Sequence, residues 1–215
     1  MSSDPQHSFV SRAGLKLAHA LDAFESFSID PHGLRCADFG CNKGGFTDCL
    51  LQRGAASVIA LDTGYNMIDF KLRRDPRVTV RERTNALHAD APPGGVDLVV
   101  VDLAWTPQRL AIPAALRWIA AGAVGAARSG VGAGGHIITL VKPHYELHGD
   151  EKHLLNEGFL PHDEARRVMH RVASEMPSLG ARVIAATESP ITGGKTAKAR
   201  GGVGNLEFLM LLASA

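Results

Sequence analysis

No stretch of this sequence stays apolar for the roughly 20 residues that a membrane-spanning helix needs. The N-terminus, "MSSDPQHSF", lacks the basic-then-apolar order of a secretory leader, so a soluble, cytoplasmic protein is expected. Strong net charge is missing as well. The 23 Lys and Arg residues stand against 22 Asp and Glu, a formal +1 with His neutral. A polyanionic partner would therefore have to be met by a local basic face rather than by the whole surface. Cysteine is scarce. Cys36, Cys41 and Cys49 are odd in number, and their spacing fits neither a zinc ribbon nor a ferredoxin pattern. Reduced, mostly buried thiols are expected, and no metal. Aromatic residues make up only 6% of the chain, which leaves few candidates for stacking on a ligand. Internal repeats and linkers rich enough to divide the chain are absent. One segment, "TGGKTAKARGGVG" at 192–204, is low in complexity and reads as a mobile loop.

What remains is one domain's worth of chain, with 45% apolar residues to build a core. "FVSRAGLKLAHALDAF" spaces Leu15, Leu17, Leu21 and Phe24 as a helix, with Ser11 as its cap. Short strands then alternate with helices. The strands are "LRCADF", "SVIALD", "RVTVRE", "VDLVVVDL" and "GGHIITLVKP". The helices are "GFTDCLLQRG", "YNMIDFKLRRDP", an Ala-rich stretch over 108–128 and "PHDEARRVMHRVASEM". "ARVIAATESP" and "NLEFLMLLA" follow with no helix between them, which predicts a terminal hairpin. Alternation of this kind means an α/β fold: a doubly wound, seven-stranded, mostly parallel sheet with helices on both faces and an antiparallel last strand.

The first strand runs into "ADFGCNKGGFTD", residues 37–48, a tight turn before a helix. Three ligands compete for such a turn. A dinucleotide site wants G-x-G-x-x-G, and this turn reads G-x-x-x-G-G. A P-loop wants G-x-x-x-x-G-K-[ST]. The only G-K-T is Gly194-Lys195-Thr196, and Ser189 stands where its first glycine should be. S-adenosylmethionine fits better. Its amino-acid end would pack on the turn built from Asp38, Gly40, Asn42, Lys43, Gly44, Gly45 and Phe46. Asp62, followed by Thr63 at the end of the next strand, can accept both ribose hydroxyls. Thr84 and Asn85, after the third strand, can offer a polar edge contact to the purine.

In an open parallel sheet, ligands sit outside the carboxyl ends of the strands. Asp38, Asp62, Asp102 and Lys142 all fall there. Glu207 lies at the start of the last strand, which reaches the same edge if that strand is antiparallel. Lys16 comes from the N-terminal helix, which can fold over that edge. Asp102 and Lys142 follow the buried runs "DLVVV" and "IITLV", where an unpaired charge costs several kcal/mol. Two readings remain open for them. One is a structural salt bridge. The other is a Lys-Asp-Lys-Glu constellation in which a lysine desolvated beside another cation has a lowered pKa and assists deprotonation of an alcohol.

The segments "FVSRAGLKLAHAL", "ADFGCNKGGFTDCLLQRGAASVIALDTGY", "LRRDPRVTVRERTN", "VDLVVVDLAW", "LVKPHYE" and "NLEFLMLL" keep their order from about residue 9 to the C-terminus. Together they resemble the FtsJ-like RNA 2'-O-methyltransferases, and within them the hemolysin A-like (TlyA) ribosomal RNA branch. The resemblance implies a Rossmann-like class I methyltransferase fold over 31–215, preceded by an N-terminal helical extension, 1–30, that contributes to the site. It puts the family's catalytic tetrad on Lys16, Asp102, Lys142 and Glu207, with Asp102 also near the cofactor. It implies methyl transfer from S-adenosylmethionine to a ribose 2'-hydroxyl of RNA, ribosomal RNA above all. The chain departs from the branch at several points. Only about eight residues precede the motif, so no S4 RNA-binding domain is expected. Leu-Ala-Trp-Thr-Pro follows Asp102 where a Ser-Phe pair is common. Lys43 fills a turn position that is usually small or Pro, the 192–204 loop is long, and Leu206 stands where Arg is frequent.

RNA needs phosphate contacts and stacking surfaces. The candidates are Arg12 beside Lys16, the basic stretch 71–83, and Lys195, Lys198 and Arg200 in the loop. Trp105 and Tyr145 flank the expected pocket mouth and can stack on a base or pack as core. His144 and His148 have helical i, i+4 spacing but no acidic partner pattern for a metal. Two other readings stay beside RNA methylation. A small-molecule O-methyltransferase would suit the neutral charge and the missing S4 domain. An inactive, cofactor-binding RNA-assembly factor would not need the intact tetrad.

Overall fold

The computed structural model describes residues 9–119, 134–193 and 203–215. Its strands are β1 (Arg35–Phe39), β2 (Ser57–Leu61), β3 (Val78–Arg81), β4 (Leu98–Val101), β5 (His136–Val141), β6 (Ala181–Glu188) and β7 (Phe208–Ser214). They form one sheet in the order β3-β2-β1-β4-β5-β7-β6. Neighbours from β3 to β5 are parallel, and β7 runs antiparallel to both β5 and β6. The chain reverses direction between β1 and β4, and ligands of open α/β sheets bind at such a switch point.

Helices α1 (Ala13–Ala23) and α2 (Gly45–Gln52) cover one face, while α4 (Gln108–Leu116) and α5 (His162–Glu175) cover the other. Side-chain alternation along the strands divides the core accordingly. Val99, Val101 and Ile137 join Trp118, Ile112 and Val168 on the α4/α5 face. Leu98, Val100 and Ile138 join Leu17, Phe46 and Leu50 on the α1/α2 face. Trp118 meets Phe39 edge-on at 5.1 Å between ring centroids and donates its indole N–H to the Ala89 carbonyl. Cys36, Cys41 and Cys49 are buried free thiols, and burial holds each well above its usual pKa, so they are unreactive packing groups.

The helices differ from the sequence reading in three places. The Ser11 side chain does not cap α1, whose N-cap position is Arg12 with no side-chain bond. Ser11 lies instead against Gly45, where it fills the space a Cβ would need. The helix expected over "YNMIDFKLRRDP" shrinks to α3 (Phe70–Arg73). Asn66 takes a left-handed φ of 55°, and Asp69 caps the short helix by accepting the Lys71 N–H at 2.9 Å, so residues 65–69 form a loop. α4 ends at Leu116, and Ile119 then bridges to Val96; residues 120–128 of the expected helix lie outside the described residues. No helix among the described residues is long and apolar enough to cross a membrane.

Candidate active site

The turn after β1 is shaped by close backbone approaches. Gly40 has φ 88°, and a Cβ there would sit 2.4 Å from the Asp102 carbonyl oxygen. Only glycine lets the ends of β1 and β4 come this close. Asp38, fully buried, accepts both the Thr47 N–H (2.9 Å) and the Thr47 hydroxyl (2.6 Å) on Oδ2, fastening β1 to the first turn of α2. Its Oδ1 has no hydrogen-bond partner among the described residues. Burial pushes the Asp38 carboxyl up to about 7; the Thr47 bonds pull against this, while the charges of Asp102 and Asp62 add to it. Asp62 reaches back to the same turn. It accepts the Asn42 N–H (2.8 Å) on Oδ2 and the Gly64 N–H (2.7 Å) on Oδ1. Each oxygen keeps a lone pair for a ligand hydroxyl.

The sheet register brings the charged residues together. Asp102 donates its N–H to Phe39, beside the turn, at 2.9 Å. Val141 pairs with Phe208 across β5 and β7. The next residue of one strand, Lys142, therefore neighbours the preceding residue of the other, Glu207. Lys142 is ion-paired to Asp102. Lys16, buried on α1, is ion-paired to Glu207. α1 reaches this edge because it packs tightly on the start of α2: a Cβ on Gly45 would lie 2.3 Å from Ser11 Oγ and 2.8 Å from the Gly14 nitrogen. The Val10 N–H, donated to buried Asp48 at 2.8 Å, anchors the approach.

One expectation about this cluster is reversed. Burial lowers the Lys142 pKa, but the Asp102 charge and hydrogen bond, helped by Glu207 and Tyr145, more than compensate and raise it above the usual value. Lys142 faces carboxylates rather than a second free cation, because Lys16 is taken by Glu207. It is held as an ammonium.

A cavity of about 210 Å³ lies between α1 and the glycine turn, lined by Arg12, Lys16, Gly40, Asn42, Lys43 and Asp102 among others. Asp102 and Asp62 lie close enough for Asp38 to feel their charges. The open lone pairs of Asp62 suit ribose hydroxyls, and the unpartnered oxygen of Asp38 suits a cationic group of a ligand. With the unpartnered Asp38 oxygen and the close-packed glycine turn, these residues fit S-adenosylmethionine. Thr63 is exposed past Asp62, and the Thr84 N–H returns to the Asp62 carbonyl at 2.9 Å. Asn85 Oδ1 accepts the Leu87 N–H at 3.0 Å, so its side-chain carbonyl already holds a local turn.

Trp105 is 74% exposed, with a left-handed φ of 55°, and its ring centroid lies 6.3 Å from that of Tyr145. Neither residue packs as core. The His144 ring lies 4.1 Å from that of Tyr145, tilted by 48°; burial, and then Lys142, push its pKa down to about 4. Lys195, Lys198 and Arg200 lie outside the described residues. Among the described residues, no group of His, Cys, Asp and Glu is arranged to hold a metal. Two residues escaped the sequence reading. Glu146 is buried, and both of its carboxylate oxygens accept the Gln108 N–H, at 3.0 and 3.1 Å. Gln108 donates its side-chain amide to Leu140 and accepts from Thr139. The only signal for Glu146 was its place four residues after Lys142.

A sequence model of the FtsJ-like methyltransferases matches residues 9–166. The chain belongs to the FtsJ-like methyltransferase family. As a member it is a methyltransferase, with S-adenosylmethionine as its methyl donor. It is 38% identical over 215 residues to the 16S/23S rRNA (cytidine-2'-O)-methyltransferase TlyA of Mycobacterium tuberculosis, covering 98% of this chain and 70% of the relative. It is 31% identical over 216 residues to hemolysin A of Brachyspira hyodysenteriae, covering 94% and 75%. A solved structure from Streptococcus thermophilus superposes with a TM-score of 0.80 at 29% identity, over 100% of this chain and 70% of that one. An S-adenosylmethionine-dependent methyltransferase from Mesorhizobium loti shares the fold at 16% identity, with a TM-score of 0.52 over 93% and 99%.

Proposed function

We infer that this methyltransferase acts on a ribose 2'-hydroxyl of RNA, ribosomal RNA in particular, using Lys16, Asp102, Lys142 and Glu207. The observation that carries the reading is the meeting of two lysine–carboxylate pairs, Lys16–Glu207 buried and Lys142–Asp102 half-buried, at one point of the sheet edge, beside the glycine-turn cavity. The activity printed for the Mycobacterium tuberculosis relative supports the substrate. Such a substrate implies work in the cytoplasm. α1, within the extension 1–30, serves the unit 31–215 by supplying Lys16.

Bound S-adenosylmethionine supplies an electrophilic methyl group. Lys142, kept charged by Asp102 and Glu207, donates a hydrogen bond to the ribose oxygen and turns a remaining lone pair toward the donor. Alignment of this kind carries much of the rate. The hydroxyl proton becomes strongly acidic as its oxygen is alkylated, and Asp102 is the nearby carboxylate to receive it. Lys16 and Glu207 neutralise each other and close the floor of the site. Trp105 and Tyr145 hold the base of the target nucleotide at the mouth.

Single-turnover methylation of ribosomal RNA, with mapping of 2'-O-methyl positions, tests the reading. Lys142→Ala should lose at least about a hundredfold in turnover, with cofactor affinity within a few-fold of the parent. Near-parental turnover in Lys142→Ala would dismiss the tetrad. Methylation of small alcohols but of no RNA would transfer the protein to the small-molecule reading.

A further inference from the structure

The segment 63–74, a loop followed by α3, leaves the carboxyl end of β2 just past Asp62. Of the large apolar side chains exposed among the described residues, Tyr65 (65%), Met67 and Phe70 (68%) cluster in it. The neighbouring basic stretch divides into two groups. Lys71 pairs with Asp48, Arg73 with Glu82 and Arg77 with Asp75, and Arg81 donates to the Asp90 carbonyl. Those four are committed to holding the fold. Arg74 and Arg83 enter no ion pair among the described residues. The Arg83 guanidinium lies 4.3 Å from the centroid of the Tyr65 ring, and that of Arg74 lies 5.3 Å from the Phe70 ring.

This display is held by the backbone. The Arg83 N–H is donated to Gly64 at 3.0 Å, and the Met67 N–H to Glu82 at 3.2 Å. Asn66 and Arg83 both take left-handed φ values, 55° and 52°, a conformation that non-glycine residues adopt at a cost and that these bonds maintain. Water-exposed rings carrying unpaired guanidinium groups suit one class of partner above others. Unpaired nucleotides offer π faces to the rings and phosphates to the arginines. A second protein seated by apolar contact would leave both guanidinium charges without a counterpart.

We propose that Tyr65, Phe70, Arg74 and Arg83 form a second RNA-contacting surface, which stacks and neutralises a single-stranded stretch flanking the target nucleotide. The inference rests on the RNA reading above. β2 and β5 are separated by β1 and β4, so the loop stands roughly 14 Å along the sheet edge from Lys142 at a strand spacing of about 4.8 Å. That distance reaches neighbours of the target nucleotide rather than the target itself. Stacking on such a surface is tolerant of sequence, while the Trp105 and Tyr145 mouth handles the reacting nucleotide.

The test is equilibrium binding of the whole chain to a labelled oligouridine of about 16 nucleotides and to a duplex RNA of equal length, with calorimetry of S-adenosylhomocysteine binding alongside. Tyr65→Ala and Phe70→Ala should each weaken oligouridine binding by roughly fivefold or more. Arg83→Ala and Arg74→Ala should each lower the slope of log affinity against log salt by about 0.7. Cofactor affinity in all four variants should stay within twofold, which also shows that they are folded. Parental oligouridine binding in all four would overturn the proposal and leave the RNA reading standing. A fall in cofactor affinity with RNA binding retained would assign the rings to the cofactor instead, and also overturns it. Failure of the parent to bind oligouridine, duplex or ribosomal RNA would remove the RNA reading itself.

Discussion

Asp62 accepts the N–H groups of Asn42 and Gly64 through separate oxygens, so it shapes the glycine turn before any ligand arrives. Its replacement therefore has two costs, the lost acceptor for ribose hydroxyls and a loosened turn. Each hydrogen bond to a charged group is worth about 1.5–3 kcal/mol. Asp62→Ala should lower S-adenosylhomocysteine affinity tenfold or more by calorimetry, and Asp62→Asn, which keeps one carbonyl acceptor, should lose less. Equal affinity in the parent and Asp62→Ala would move the ribose contact elsewhere. Candidate residues such as Asp62, Asp102, Lys142 and Glu207 were legible from sequence because a charge at the end of an apolar run has few places to go. Their protonation was not legible. The expectation of a lowered Lys142 pKa failed because pairing depends on which carboxylate each lysine meets, and that is set by strand order and by the docking of α1.

At the level of elements, Glu146 joins two loops that the sequence presents far apart. By bonding the first N–H of α4 it ties the segment after β5, with Lys142 and Tyr145, to the segment after β4, with Asp102 and Trp105. Burial pushes its carboxyl up to about 7; the Gln108 N–H favours the ionised form, Arg171 and Arg109 pull the same way, and Glu175 opposes. Arg171 is in turn bonded to His148. Protonation replaces an acceptor lone pair with a donor facing an N–H. Turnover should therefore rise several-fold between pH 6 and 8 as Glu146 ionises. In Glu146→Gln that rising limb should flatten, with turnover at pH 8 below the parent's and cofactor affinity little changed. An unaltered pH profile in Glu146→Gln would free the clasp from this role. Strand and helix positions were legible because strands buried on both faces read as short apolar runs, while helices repeat their apolar residues at about 3.6. The shortening of α3 was not, since it follows from the left-handed Asn66 and the Asp69 cap rather than from hydrophobic spacing. Glu146 escaped for a related reason: a buried carboxylate satisfied by a backbone N–H leaves no trace of its partner in the sequence.

For the whole molecule, Asp38 and Glu146 make stability fall as pH rises, opposed by His144 and His136, whose values burial pushes down and which act the other way. Both carboxyls are raised in the fold to about 7, from ordinary values of 3.8 and 4.5. The folded chain therefore holds protons that the unfolded chain has released at the same pH. The stability these groups contribute is full below about pH 4 and is lost as pH rises through about 7. Half-buried acids near the surface with lowered values, Asp75, Glu82 and Glu151, act in the opposite direction at lower pH. Without ligand, the protein should melt at a higher temperature at pH 5.5 than at pH 7.5. The cofactor site shares in this cost, because Asp38 is wedged under the glycine turn with one oxygen unpartnered. A ligand bearing an ammonium and a sulfonium restores the value of the ionised carboxylate, so cofactor binding should release a proton near pH 6.5 and tighten as pH rises from 5.5 to 7.5. Asp38→Asn keeps an acceptor for Thr47 and removes the titration. It should reduce the difference in melting temperature between the two pH values and flatten the pH dependence of S-adenosylhomocysteine affinity. Thermal melts and calorimetry in two buffers of different ionisation enthalpy measure both quantities. A steep pH dependence of affinity that survives Asp38→Asn would assign the released proton to another group of the site.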